Sequence, residues 1–194
     1  MIIKEGNLQF EFTEGVKAIK FDETSYYRKY KDCMPGNKGI DILAYNDLHF
    51  TFIEIKDFES YENNKENIKR LMTSKNETET ETLDDEISRK VRSTVAAVFG
   101  SHINQDKELD EYFEALKGKV SNTNEFIPTI DIILFIEGDV SKMVRKKGLR
   151  QETTVAFRAI QDSLKKKLKW LTGRISVENI QLMRAQRFFV VKRI

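Results

Sequence analysis

The chain is poor in the residues that mark stapled, fibrous or zinc-finger proteins. A single cysteine, Cys33, excludes an internal disulfide, and a reducing, cytoplasmic setting is the simplest expectation. Two histidines and that cysteine cannot furnish the usual four-ligand zinc site, which also argues against a histidine-driven metal-finger nuclease. Two prolines and nine glycines exclude a collagen-like chain. The longest apolar run, Ile132 to Ile136, falls far short of the roughly 20 residues a membrane helix needs. The amino-terminal residues Met1 to Gly6 show no long apolar stretch and no small-residue cleavage site, so no signal peptide is expected. There is no Gly-rich Lys loop, no G-x-G-x-x-G and no G-x-S-x-G. If the chain is an enzyme, carboxylates, lysine and an oxygen-seeking metal must carry the chemistry.

What remains is a chain of 194 residues, 40% apolar and 33% charged, enough for one sizeable core. Its net charge of +2 hides a division. Residues 142–194 hold 15 Lys or Arg against Glu152, Asp162 and Glu178, while the first 141 residues hold 18 basic and 28 acidic side chains. A basic carboxyl-terminal quarter suits a polyanion, because cationic side chains displace counterions condensed on phosphate. A solvated helix face followed by a basic tail would look the same.

Periodicity divides the chain into short elements. Leu8 to Phe12 alternates as a strand. Residues 15–31 fit either helix or strand, and Lys31 to Gly39 reads as a loop. Gly39 to Tyr45 and His49 to Asp57 read as strands joined by a turn at Asn46-Asp47. Residues 59–83 are polar and nearly repetitive, an insertion with a short helix around Ile68 to Met72. Thr82 caps a helix whose Ile87, Val91, Val95, Val98 and His102 share a face. Asp110 to Leu116 is a shorter helix, and Ile130 to Ile136 a strand covered on both faces. Residues 139–150 form a basic loop, Thr153 to Leu171 an amphipathic helix, and Arg187 to Ile194 a closing strand. The expectation is one α/β domain over 1–194, with helices on both faces of a mixed sheet.

One constellation can do chemistry. Asp41 lies in Gly39-Ile40-Asp41-Ile42-Leu43, and Glu54 and Lys56 in Phe52-Ile53-Glu54-Ile55-Lys56-Asp57. Alternation along a strand points Glu54 and Lys56 to one face, and the hairpin can bring Asp41 beside Glu54. An acid two residues before a lysine is also common on the wet face of a sheet. Under helices, however, all three would be partly buried charges, costly unless paired or metal-bound. Ile130-Asp131-Ile132 echoes the first motif, but Asp139 stands where a lysine would follow Glu137, so Asp131 and Glu137 are read as strand-end residues.

The pattern Gly39-Ile40-Asp41, short hairpin, Ile53-Glu54-Ile55-Lys56 resembles the signature of the PD-(D/E)XK nuclease superfamily. Ile40 replaces the proline of that motif, and the insertion at 59–83 is longer than the core requires. The resemblance covers roughly residues 10–140 in the order of elements. It implies a restriction-endonuclease-like fold, a three-layer α/β/α sandwich around a central mixed β-sheet. It further implies a nuclease site in which Asp41, Glu54 and the Ile55 carbonyl hold Mg2+ (or Mn2+), with Lys56 beside the attacking water. Members often add an acid from an early element, for which Glu14, Asp22 and Glu23 are candidates.

Phosphate contact is the functional reading of Lys90 and Ser93 on the following helix and of Arg145, Lys146, Lys147 and Arg150 in the basic loop. Lys90 can equally pair with Glu86 four residues before it. His49 and His102 read as structural. The expected partner is nucleic acid, DNA before RNA, with no membrane and with a homodimer or a partner protein also open. The rival is the same fold without activity, kept as a nucleic-acid- or protein-binding subunit.

Overall fold

The computed structural model describes residues 1–33, 37–58, 81–118, 129–138, 145–146, 149–150, 153–185 and 187–194. Ten strands and four α-helices are found among them. In chain order they are β1 (Ile2–Glu5), β2 (Leu8–Phe12), β3 (Lys17–Lys20), α1 (Ser25–Lys31), β4 (Ile42–Tyr45), β5 (His49–Asp57) and α2 (Leu83–Ile103). Then come α3 (Asp110–Lys117), β6 (Thr129–Glu137), β7 (Arg145–Lys146), β8 (Leu149–Arg150), α4 (Thr153–Leu168), β9 (Ile175–Glu178) and β10 (Phe189–Arg193). The ambiguous stretch 15–31 resolves into β3, a 3-10 turn at Phe21–Glu23, and α1. The insertion expected at 59–83, with its short helix, lies outside the described residues except for its last three.

The central sheet has the order β3-β4-β5-β6-β9. β3, β4 and β5 are antiparallel neighbours, whereas β5, β6 and β9 run parallel. Asn46 makes the β4–β5 turn tight: its side-chain oxygen accepts from the N–H groups of Leu48 and His49 at 2.9 and 2.8 Å. Such local acceptance is what favours Asn in turns. Parallel β5 and β6 need a crossover, and α2 and α3 are its described helices. Asp84, Asp85 and Glu86 crowd the first turn of α2, where exposed N–H groups favour negative charge.

The layers differ from the expected α/β/α sandwich. Residues of α1, α2, α3 and α4 pack into one core with Leu43, Phe50, Phe52, Ile132, Leu134 and Val177. The opposite face of the central sheet, with Ile42, Ile53, Ile133 and Phe135, is covered by a second sheet of order β1-β2-β10. That sheet contributes Leu8, Phe10, Phe12, Phe189 and Val191, every second residue of β2 and β10. The cause lies in pairing: β10 bonds antiparallel to β2, so the early and late strands form a lid of their own. No described helix is long and apolar enough to cross a membrane.

Candidate metal centre

The site is assembled where β4 begins and β5 nears its end. The register pairs Ile42 with Ile53 and Leu43 with Phe52, which sets Asp41 opposite Glu54. Asp41 precedes β4 instead of lying inside it, a correction to the expected strand from Gly39. Its backbone is nonetheless pinned from three sides. The Gly39 N–H donates to Tyr27 Oη at 3.0 Å, and the Ile40 N–H donates to Thr94 Oγ1 at 2.9 Å. The Asp41 carbonyl accepts from the Phe21 N–H at 2.9 Å. Glycine is required at 39, because a Cβ there would stand 2.5 Å from the Phe21 ring.

Leu43 and Phe52 belong to the helix-side core, and alternation places Asp41, Glu54 and Lys56 on that same face, beneath α2. The helix contributes two charged residues of its own. Lys90 Nζ lies 2.6 Å from Glu54 Oε1 and 3.3 Å from Asp41 Oδ1, so one ammonium bridges both carboxylates. Lys56 Nζ lies 2.8 Å from Glu54 Oε1 and 3.3 Å from Glu86 Oε1. The second oxygen of Asp41, Oδ2, accepts from the Ile55 N–H at 2.6 Å. Glu54 is wholly buried, and its Oε2 has no hydrogen-bond partner among the described residues.

Burial dominates the electrostatics. It pushes the Glu54 carboxyl up, the neighbouring Asp41 charge adds to this, and the two lysines only partly oppose it, leaving a pKa of about 7. Asp41 is raised by burial against the pull of Lys90 and the Ile55 N–H. For Lys90 and Lys56 burial works downward, but the carboxylates around them win and both are raised.

These residues fit a hard divalent cation. Two carboxylates already face one positive charge, and one buried carboxylate oxygen lacks a donor among the described residues. The N–H and C=O of one strand residue project to the same side. The Ile55 carbonyl therefore faces the edge at which Asp41 accepts its N–H. Magnesium takes one or two carboxylates and keeps water and phosphate oxygens for the rest. Among the described residues no group of three or more His, Cys, Asp or Glu side chains forms a protein cage, so any ion here would depend on those outside ligands.

The other candidate residues divide clearly. Lys90 belongs to the centre and lies on the buried stripe of α2 with Glu86, Ile87, Val91 and Thr94. Thr94, not Ser93, is the hydroxyl that bears on the site. Of the early acids, Asp22 comes nearest in effect. Its Oδ1 is buried without a hydrogen-bond partner among the described residues. Burial and Glu5 raise its carboxyl, and Lys90 is among the cations opposing them. Glu23 pairs with Lys20 at 2.5 Å, and Glu14 is exposed. Asp131 is on the opposite face, held by His49 at 2.8 Å and Arg174 at 3.0 Å. His102 stacks on Phe113 at 3.8 Å. Arg145 and Arg150 are backbone register partners in the antiparallel β7–β8 pair, as are Lys146 and Leu149. Lys147 lies outside the described residues.

Glu86 and Thr94 were missed as site residues, although a signal existed. Leu83, Glu86, Lys90, Thr94, Ala97 and Ser101 recur at spacings of three and four, a helical stripe that carries polar residues inward. The sequence matches a family of unknown function, DUF6661, over residues 24–192, so the chain belongs to that family. No curated protein and no solved structure matches it.

Proposed function

We propose that this member of DUF6661 is a metal-dependent phosphodiester hydrolase, a nuclease acting on DNA. The observation that carries the reading is the shared cation: Asp41 and Glu54, 13 positions apart in sequence, both reach Lys90 Nζ inside a buried cluster. The run of antiparallel β3, β4 and β5, the α2 crossover and parallel β6 supports a restriction-endonuclease-like core, with the second sheet as an addition on its other face.

Asp41, Glu54 and the Ile55 carbonyl would hold Mg2+ or Mn2+. When bound, such an ion lowers the pKa of a coordinated water and polarises a phosphate oxygen. Glu54 holds Lys56 by its ammonium, which fixes the cation at the rim of the cluster. From there Lys56 can orient the attacking water and offset negative charge growing on the phosphate. The core closed around Phe52, Ile87 and Val91 limits water beneath the carboxylates, which strengthens each of these charge interactions. The basic carboxyl-terminal quarter supports a polyanionic substrate.

The test is cleavage of supercoiled plasmid, linear duplex, single-stranded DNA and RNA, with and without Mg2+ or Mn2+. Cleavage that needs the ion and disappears in Asp41→Asn, Glu54→Gln and Lys56→Ala is the expected result. Undiminished metal-dependent cleavage by a folded Lys56→Ala would remove the lysine from the mechanism. The same Lys90 bridge favours a second reading, an inactive nuclease-like subunit whose charges are settled internally. Retained nucleic-acid or protein binding without cleavage of any substrate would select it.

A further inference from the structure

Lys90 stands where a divalent ion would have to sit. Its ammonium touches one oxygen of each candidate ligand, at 2.6 and 3.3 Å, and its side chain is only 10% exposed. A dication and an ammonium cannot share that space, since like charges a few ångströms apart in a poorly solvated pocket repel strongly. A third carboxylate lies on the helix of Lys90 itself. Glu86 lies four residues before it on α2, the favourable order for a helical Glu–Lys pair. Glu86 is itself buried on the same stripe and acts on Lys90 electrostatically. Its contact with Lys56, at 3.3 Å, is longer than the 2.8 Å contact Lys56 makes with Glu54. The lysine stem is long and flexible, so its head can change partners while the backbone of α2 stays in place.

We propose that Lys90 is an internal counter-cation: it holds Asp41 and Glu54 together in the metal-free protein and moves to Glu86 when a divalent ion takes its place. The inference rests on the metal-site reading above and assigns that site a built-in competitor. Metal binding is then an exchange of cations. The pocket remains neutralised before the ion arrives, which avoids the cost of two unpaired buried carboxylates. The ion must in turn be strong enough to displace a tethered ammonium, which selects divalent over monovalent cations.

The experiment is Mn2+ binding, read by electron paramagnetic resonance of the free ion and by calorimetry, with no substrate present. Lys90→Met should bind Mn2+ about tenfold or more tightly than the unmodified chain, because the competing charge is gone. Lys90→Arg should bind it more weakly, because a guanidinium holds carboxylates in a two-pronged grip and keeps its charge. This variant retains the buried pairing and serves as the test if the methionine variant does not fold. Glu86→Gln should weaken Mn2+ binding when Lys90 is present and leave it unchanged in the Lys90→Met background. Equal affinity in all Lys90 variants would overturn the exchange while leaving the metal site standing. Weaker binding by Lys90→Met would likewise overturn it and make Lys90 a support for the ligands. If neither the unmodified chain nor the folded Lys90 variants bind Mn2+, the exchange and the metal-site reading both fall.

Discussion

Glu54 reaches full burial with a carboxylate neighbour, two ammonium partners on one oxygen and, among the described residues, none on the other. Its folded pKa of about 7 exceeds the ordinary 4.5. Between those values the folded chain binds a proton that the unfolded chain has released, so metal-free stability falls as pH rises through the window. Asp41, also raised, adds the same sign just above 3.8. Urea melts from about pH 5 to about pH 8 should show that decline, and Glu54→Gln should flatten it. Stability that climbed across this range in the unmodified chain would contradict the charge balance described. Asp41, Glu54 and Lys56 were legible in the sequence because a period of two fixes which side chains share a face. Lys90 and Glu86 were harder to place. On a helix a charged residue can sit at the margin of the apolar stripe, and only the carboxylates opposite decide whether it turns inward.

At the scale of elements, α2 does two tasks. Its apolar stripe closes the core over the central sheet, and its polar residues complete the charged cluster. Thr94 connects the two by accepting the Ile40 N–H one residue ahead of Asp41. Thr94→Val keeps the shape and leaves a buried N–H without an acceptor, which costs about 1–3 kcal/mol. Chemical denaturation should show that loss, and Mn2+ affinity should fall with it, because the Asp41 backbone is released on one side. A variant as stable as the parent would mean that the Ile40 N–H finds another acceptor. The span of α2 was readable from Thr82 and the acids after it, as were the bounds of β2, β5 and β6 to within a residue or so. The start of β4 was not. Gly39 to Asp41 joins no strand and bonds instead to Tyr27, Thr94 and Phe21, partners supplied by other parts of the chain.

For the molecule as a whole, the two cores divide the labour. The helix-side core carries the charged cluster, and the sheet-side core carries none of it. Phe10 is central to the second core, edge-on to Phe135 at 5.3 Å and tilted against Phe189 at 5.7 Å. Phe10→Ala should cost about 3–5 kcal/mol, as for other buried aromatics. It should leave the Mn2+ affinity of the folded fraction unchanged, since Asp41, Glu54 and Lys90 lie on the other side of the sheet. A large change in affinity would show that the two faces are coupled through β5. The layer arrangement was not legible, because strand periodicity states which residues are buried and leaves open which sheet a strand joins.

The pairing of β2 with β10 also governs when the protein can be completed. Glu11 and Lys192, which meet across that pair, are separated by 181 positions. At about 5–20 residues per second, a ribosome needs on the order of ten seconds or more between the two strands. For that interval β1 is the one described strand beside β2, and the surface that will receive Phe189 and Val191 stays open to chaperones or to another nascent chain.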